Sequence, residues 1–182
     1  MKKVTLWQLL SIMTRLPPRQ ADLYLPYIND AMHRWGIEST EQKAAFIACL
    51  AHPSRQLRKW RSEKSGWERE GREEIGNVFP GDGPKYKEGG PLPIVGRTMY
   101  YAAARGTGFL DLSTKPGIIT HPEVGLMVAG WLWSKHLKLN AVVSDGNEDT
   151  LKWAWYKLTG GNKGFRAVSI YWNRAKRALE GA

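Results

Sequence analysis

AFIACLAHPSRQLRKW, Ala45–Trp60, opens as an apolar helical pattern, meets Pro53 directly after the only histidine of the stretch, and continues as a cationic run. Upstream, Ser39 and Gln42 have the spacing of a capping box, in which two side chains satisfy the first free N–H groups of a helix. The helix that starts there should end near His52, because a residue preceding proline is pushed out of the α region. Cys49 lies inside the apolar pattern and reads as a buried, inert thiol. One helix thus delivers His52 and Pro53 to the border of a core, and the rest of the chain decides what that border is for.

Working outward, Leu6, Leu9, Leu10 and Met13 fall on one face of a short docking helix. Leu25, Ile28, Met32 and Trp35 have helical spacing, with Gly36 as a C-terminal stop. From about 54 to 96 the pattern breaks into charges, glycines and the prolines at 80, 84, 91 and 93, which predicts a loop or short-hairpin lobe with little regular structure. Gly96 to Arg105 reads as a helix. Thr120 and Glu123 are spaced to cap HPEVGLMVAGWLWSKHL, whose Val124, Val128 and Trp131 are expected at the centre of the core. A further helix starts at Asn147, with acidic Glu148 and Asp149 in its first turn, and stops at Gly160-Gly161. The last, from Phe165 to Leu179, should bury Val168, Trp172 and Leu179 and leave Arg174, Lys176 and Arg177 in water. The expected architecture is a mainly α chain, residues 1–182 as one domain, with an irregular lobe at about 54–96.

A 182-residue chain buries about 70% of its unfolded surface, so a core forms without staples, and nine tryptophans argue against disorder. A single cysteine excludes an intramolecular disulfide and a cysteine metal cluster. No apolar run approaches the ~20 residues of a membrane helix. MKKVTLWQLLSIM resembles a leader, but Gln8 and Ser11 interrupt it and no small-residue cleavage site follows, so the cytoplasm is the expected compartment. The formal charge of +10 favours an anionic partner, whether nucleic acid, an acidic protein, an anionic membrane or the bacterial wall, and a merely solvated basic surface is the plain alternative.

Four segments in order, KAAFIACLAHPS, EGREEIGNVFPGDGPKYKEGGPLPIVGR, HPEVGLMVAGWLWSKHLKLN and LTGGNKG, resemble the endolysins and chitinase-like lysozymes of glycoside hydrolase family 19. The resemblance implies a helical lysozyme-like fold and hydrolysis of β-1,4 glycan links by inversion, with one carboxylic acid protonating the leaving oxygen and one carboxylate activating water. It also implies where this chain departs from the pattern. The helix that ends in His-Glu-Ser in the family ends here in His52-Pro53-Ser54, and the second glutamate falls at Ser62. Gly89, Pro93 and Val95 stand where an arginine, a glutamine and a threonine line the sugar cleft. The late asparagine-glycine-glycine element reads Thr159-Gly160-Gly161, and Lys163 replaces a further asparagine. His52, Tyr86, Pro93, Val95, Thr159 and Lys163 are the expected residues of the inherited cleft.

Neither Pro53 nor Ser62 moves a proton, and loss of one general acid or base costs ~10²–10⁴ in rate. Among Glu63, Glu68, Glu70, Glu73, Glu74 and Glu88, a replacement pair is conceivable, with Glu63 and Glu70 as fallback candidates, but such charge runs usually pair with neighbouring Arg and Lys. His52 is expected to hydrogen-bond the lobe. Trp131 and Trp133, like Trp153 and Trp155, are two apart, so one ring of each pair should be core and the other free for a sugar platform or an interface. The histidines lack zinc spacing, and Gly81-Asp82-Gly83 lacks the strand and lysine of a phosphate loop, so no metal or cofactor is expected. The expected function is a catalytically degenerate endolysin-like protein, of phage or prophage origin, that binds peptidoglycan glycan or an anionic macromolecule. A phage-encoded inhibitor of a host system is one form of it. The alternative is an active peptidoglycan hydrolase with relocated carboxylates.

Overall fold

Every residue from Lys43 to Ala51 is buried. A helix that is apolar all round must be enclosed by others, and the chain supplies them on each side. The computed structural model describes residues 2–180. Among these, α-helices span Leu6–Ile12 (α1), Pro18–Arg34 (α2), Thr40–Ala51 (α3), Asp82–Lys85 (α4), Arg97–Thr107 (α5), Pro122–Trp131 (α6), Leu139–Val142 (α7), Glu148–Thr159 (α8) and Phe165–Glu180 (α9). There are no β-strands among the described residues, only single antiparallel bridges, Arg61 with Gly89 and Gly89 with Ile94.

α9 lies along α3 in the most extensive contact between described elements, and α1 packs on α9 in turn. The buried stripe of α9 runs through Val168, Trp172, Ala175 and Ala178. Leu179, expected inside, is only partly buried, because the stripe drifts toward Ala178 and the small alanines let the two helices approach. Arg174 and Lys176 are half-buried rather than fully wet: Lys176 Nζ sits 3.4 Å from the Trp172 ring centroid and the Arg174 guanidinium 5.8 Å from that of Tyr171.

Both capping boxes at the N-terminal side are formed, Ser39–Gln42 on α3 and Thr5–Gln8 on α1. Asn147 caps α8 through its side chain and Gly160 closes it at φ +72°. Thr120 does not cap α6: its hydroxyl donates to the Gly117 carbonyl at 2.9 Å within the preceding 3₁₀ turn, and the cap position belongs to His121. Pro122 then opens the helix without an N–H to satisfy.

α6 is sandwiched. Val124, Val128 and Trp131 are buried as expected, and so is Trp133, against the expectation of one core ring per pair. Trp131 packs on α5 so closely that a Cβ at Gly106 would overlap its indole. Trp133 stands edge-on to Phe46 of α3, centroids 5.5 Å apart, and donates its N–H to Asn140 Oδ1 at 2.9 Å. Trp131 ends α6 and Trp133 follows it in the π-helical turn Leu132–His136; each ring finds its own cover, α5 for the first and α3 for the second, so neither is left outside. The Trp153–Trp155 pair does divide, with Trp155 buried and Trp153 exposed.

The 54–96 lobe is built from turns and is tied to the start of α5 by an ion pair. Arg97 Nε and Nη2 donate to the two oxygens of buried Asp82 at 2.8 and 2.6 Å. The same guanidinium lies over the rings of Phe79, Tyr86 and Tyr101. Its hydrogen bonds hold the Asp82 carboxyl below the ordinary aspartate range, against the opposing effect of burial. Among the described residues no helix is long and apolar enough to cross a membrane.

Candidate functional site

α3 ends at Ala51, as expected, but not because His52 leaves the α region: His52 keeps φ −71°, ψ −60°. The break comes after it. Pro53 has no N–H to continue the ladder, and Arg55, Gln56 and Leu57 then adopt φ of +50°, +62° and +59°. Three non-glycine residues in left-handed backbone cost roughly 1–2 kcal/mol each, and hydrogen bonds compensate. Buried Ser54 donates its hydroxyl to the Leu50 carbonyl at 2.6 Å and accepts from the Leu57 N–H at 2.8 Å. Gln56 accepts from the Arg15 N–H at 2.7 Å and donates to the Tyr171 hydroxyl at 2.9 Å.

This reversal lays residues 60–62 against 88–90. The Ser62 N–H donates to the Glu88 carbonyl at 2.9 Å and the Gly90 N–H to the Trp60 carbonyl at 2.8 Å. Gly89 has to be glycine: a Cβ there would lie 2.5 Å from the Tyr100 hydroxyl and 2.7 Å from Ile119. The chain then turns back through Pro91–Pro93, and a groove opens between this lobe and the C-terminal end of α8.

The groove has two adjoining halves that share Pro53 and Pro93. The apolar half, about 210 Å³, is completed by Leu92, Leu132, Trp155, Leu158 and Thr159. The polar half, about 180 Å³, is completed by Lys59, Arg61, Ser62, Glu88 and Gly90. Of the residues expected in a cleft, Pro93 and Thr159 line the groove together with Pro53 and Ser62. Tyr86 is fully buried and donates its hydroxyl to the Ser113 carbonyl at 2.8 Å. Val95 and Lys163 line neither half. The Lys163 carbonyl instead anchors the Trp155 indole N–H at 3.0 Å.

His52 does not bond to the lobe. It stands edge-on to Trp155, centroids 5.5 Å apart, and a Cβ at Gly164 would overlap its Nε2. Burial pushes its pKa below the ordinary value.

The acids of the lobe are largely occupied elsewhere. Glu63 is 74% exposed and pairs with Lys59 at 3.5 Å. Glu70 accepts from the backbone N–H groups of Gly81 and Gly83 at 2.7 and 2.8 Å, and so shapes a turn. Glu74 pairs with Arg72. Glu88 is the one carboxylate, among the described residues, that lines the groove. Burial works against its charge, but its own backbone N–H and Arg69 Nε, at 3.0 Å, outweigh burial and hold the carboxyl below the usual glutamate range. Its Oε2, like Arg61 Nε, is buried and makes no hydrogen bond within the protein. The polar half of the groove is thus lined by one acid, Glu88, with Lys59, Arg61 and Ser62, beside apolar walls. Glu88 stands out only after folding, since its place is set by the Ser62 backbone bridge and no sequence spacing announces it. Among the described residues, no group of three His, Cys, Asp or Glu could hold a metal ion.

No protein-family model matches the sequence, and no curated protein matches it. Solved structures do. Chitinase C from Streptomyces griseus HUT6037 superposes with a TM-score of 0.76 at 16% identity, over 97% of this chain and 76% of that one. A bacterial family 19 chitinase superposes with a TM-score of 0.74 at 16% identity, over 97% and 94%. A mutant of chitinase C gives 0.72 at 16% identity, over 97% and 92%. The chain thus has the helical, lysozyme-like fold of the family 19 chitinases.

Proposed function

We propose that this protein holds a β-1,4-linked amino-sugar chain in the groove without cleaving it. The observation that carries the reading is the composition of the groove around Pro53. The two positions where the resemblance implies a proton donor and a water activator are Pro53 and Ser62, both on the wall. The remaining carboxylate, Glu88, is held below the usual glutamate range, against the effect of burial, by its own backbone N–H and by Arg69. Inverting hydrolysis needs an acid and a base facing each other with room for water between. A lone anion supplies neither the donor nor the pair.

Binding is better provided for. Trp155, Leu158, Leu92 and the two prolines give apolar surface for the C–H faces of sugar rings, and Lys59, Arg61, Ser62 and Glu88 line the polar half for hydroxyl or acetamido groups. Lys59 and Arg61 add attraction for a strand bearing carboxylates, so peptidoglycan glycan should bind more tightly than a neutral polymer, which the groove also accepts. Retention on a bound ligand rather than turnover is the expected behaviour.

The test uses the purified protein on isolated peptidoglycan and on chloroform-permeabilised Gram-negative cells. It should sediment with peptidoglycan and leave turbidity unchanged. Pro93→Trp, which places an indole in both halves of the groove from an exposed position, should lower retention at least about tenfold, a loss equivalent to ~1.4 kcal/mol. Clearing of the cells by the unmodified protein, or retention indifferent to Pro93→Trp, would overturn the proposal. Pro53→Glu with Ser62→Glu asks the converse question, and gained lysis would demonstrate a groove still able to seat the reacting sugars.

A further inference from the structure

α8 has two working faces. Trp155, Leu158 and Thr159 turn one toward the groove. The other carries Trp153 and Tyr156, 51% and 43% exposed, with rings parallel to within 7° and centroids 5.5 Å apart. Lys157 Nζ lies 5.6 Å from the Trp153 centroid and helps fix that ring. The pair borders a surface pocket of about 290 Å³ whose other walls are Asp149, Lys152 and Asn162.

We infer that this surface is an outer subsite that extends the groove, and that its ligand is the same amino-sugar chain. The inference rests on the glycan reading of the groove and adds to it a second, separately testable contact. Three observations point the same way. The stacked rings cover each other on their inner sides and leave half-exposed outer surface to the C–H face of a pyranose, while a carboxylate, an amide and an amine at the edge match its hydroxyl and acetamido groups. The two sites are also close along the chain. Thr159 of the groove and Asn162 of the platform are three residues apart, at most ~11 Å even if fully extended. Between them Gly160 and Gly161 leave the way clear, since a Cβ on either would meet nothing within 4 Å. A strand leaving the groove past Thr159 crosses that turn onto Trp153 and Tyr156.

Charge separates a sugar from the other ligand that stacks on aromatic rings, single-stranded nucleic acid. Such sites line the backbone track with cations, whereas the walls of this pocket set one acid, Asp149, against one base, Lys152.

The experiment titrates ¹⁵N-labelled protein with the dimer and the hexamer of β-1,4-linked N-acetylglucosamine, with oligothymidylate as a third ligand. The hexamer should shift the Trp153 indole and Asn162 amide resonances together with those of Ser62 and Thr159, and the dimer should shift the groove alone. Trp153→Ala with Tyr156→Ala, two exposed changes, should bring the hexamer's affinity down about tenfold, to that of the dimer, and leave the dimer's unchanged. Groove shifts without platform shifts, or equal affinities for both oligomers, would overturn the outer subsite and leave the groove reading standing. Absence of any shift with either oligomer would sink both. Platform shifts with oligothymidylate and none with the hexamer would overturn the subsite in favour of a nucleic-acid surface.

Discussion

His52 shows how one residue changes its meaning with its surroundings. In the sequence it stands beside Pro53, where the resemblance implies an acid, and invites a chemical role; in the fold it is packed against Trp155 and fills the space that Gly164 leaves open. Burial disfavours its charged form, so its pKa in the folded protein lies below the ordinary 6.5. On acidification the unfolded chain takes up this proton first. Stability is therefore flat above pH 6.5 as far as His52 is concerned, and falls as pH drops from there toward the folded-state value. His52→Phe keeps a flat ring and removes the titration. Urea unfolding at pH 8 and pH 5 should give a smaller loss for the variant than for the unmodified protein, and equal losses would mean that His52 is solvated rather than packed.

At the scale of elements, the left-handed turn after α3 and the Asp82–Arg97 clamp place the walls of the groove. Ser54 is the turn's keystone, because it both donates to Leu50 and accepts from Leu57 while fully buried. Ser54→Ala leaves the Leu57 N–H unpaired and should cost about 1–3 kcal/mol in chemical denaturation. Arg55→Gly acts oppositely: Arg55 is exposed at φ +50°, so glycine relieves strain, and a gain of about 0.5–1 kcal/mol is expected once its greater unfolded-state entropy is subtracted. In the lobe, Asp82→Asn leaves Arg97 without its counter-charge and should cost about 3 kcal/mol at neutral pH. The Asp82 carboxyl has a folded pKa below its ordinary 3.8. Its contribution is accordingly complete above pH 3.8 and is lost as pH falls through the lower value, so the difference between variant and parent should shrink in acid.

For the molecule as a whole, the +10 charge and the Lys59–Arg61 rim give an ionic-strength prediction. Screening shortens from about 10 Å at 0.1 M salt to 3 Å at 1 M. Retention on peptidoglycan, which carries carboxylates, should fall several-fold over that range, while affinity for the neutral N-acetylglucosamine hexamer stays constant; parallel losses would place the binding on the basic surface instead. Much of the scaffold was readable in advance, because Ser39–Gln42, Asn147 and Gly160 act through neighbours a few residues away. Trp133 and Thr120 escape a local reading for the opposite reason. Trp133 is covered by Phe46, 87 positions earlier, and Thr120 is claimed by a 3₁₀ turn that no periodicity marks. Within the groove, Pro53, Ser62, Pro93 and Thr159 were legible through resemblance, whereas Glu88 depended on a backbone bridge across the lobe. The burial of Cys49, whose thiol is pushed far from ionisation, has a practical corollary. The native chain should be silent toward thiol-directed reagents, so one cysteine introduced at Tyr156 or Ser62 would accept a dye at a single place, and distances from each to a labelled saccharide would map the path of the bound strand.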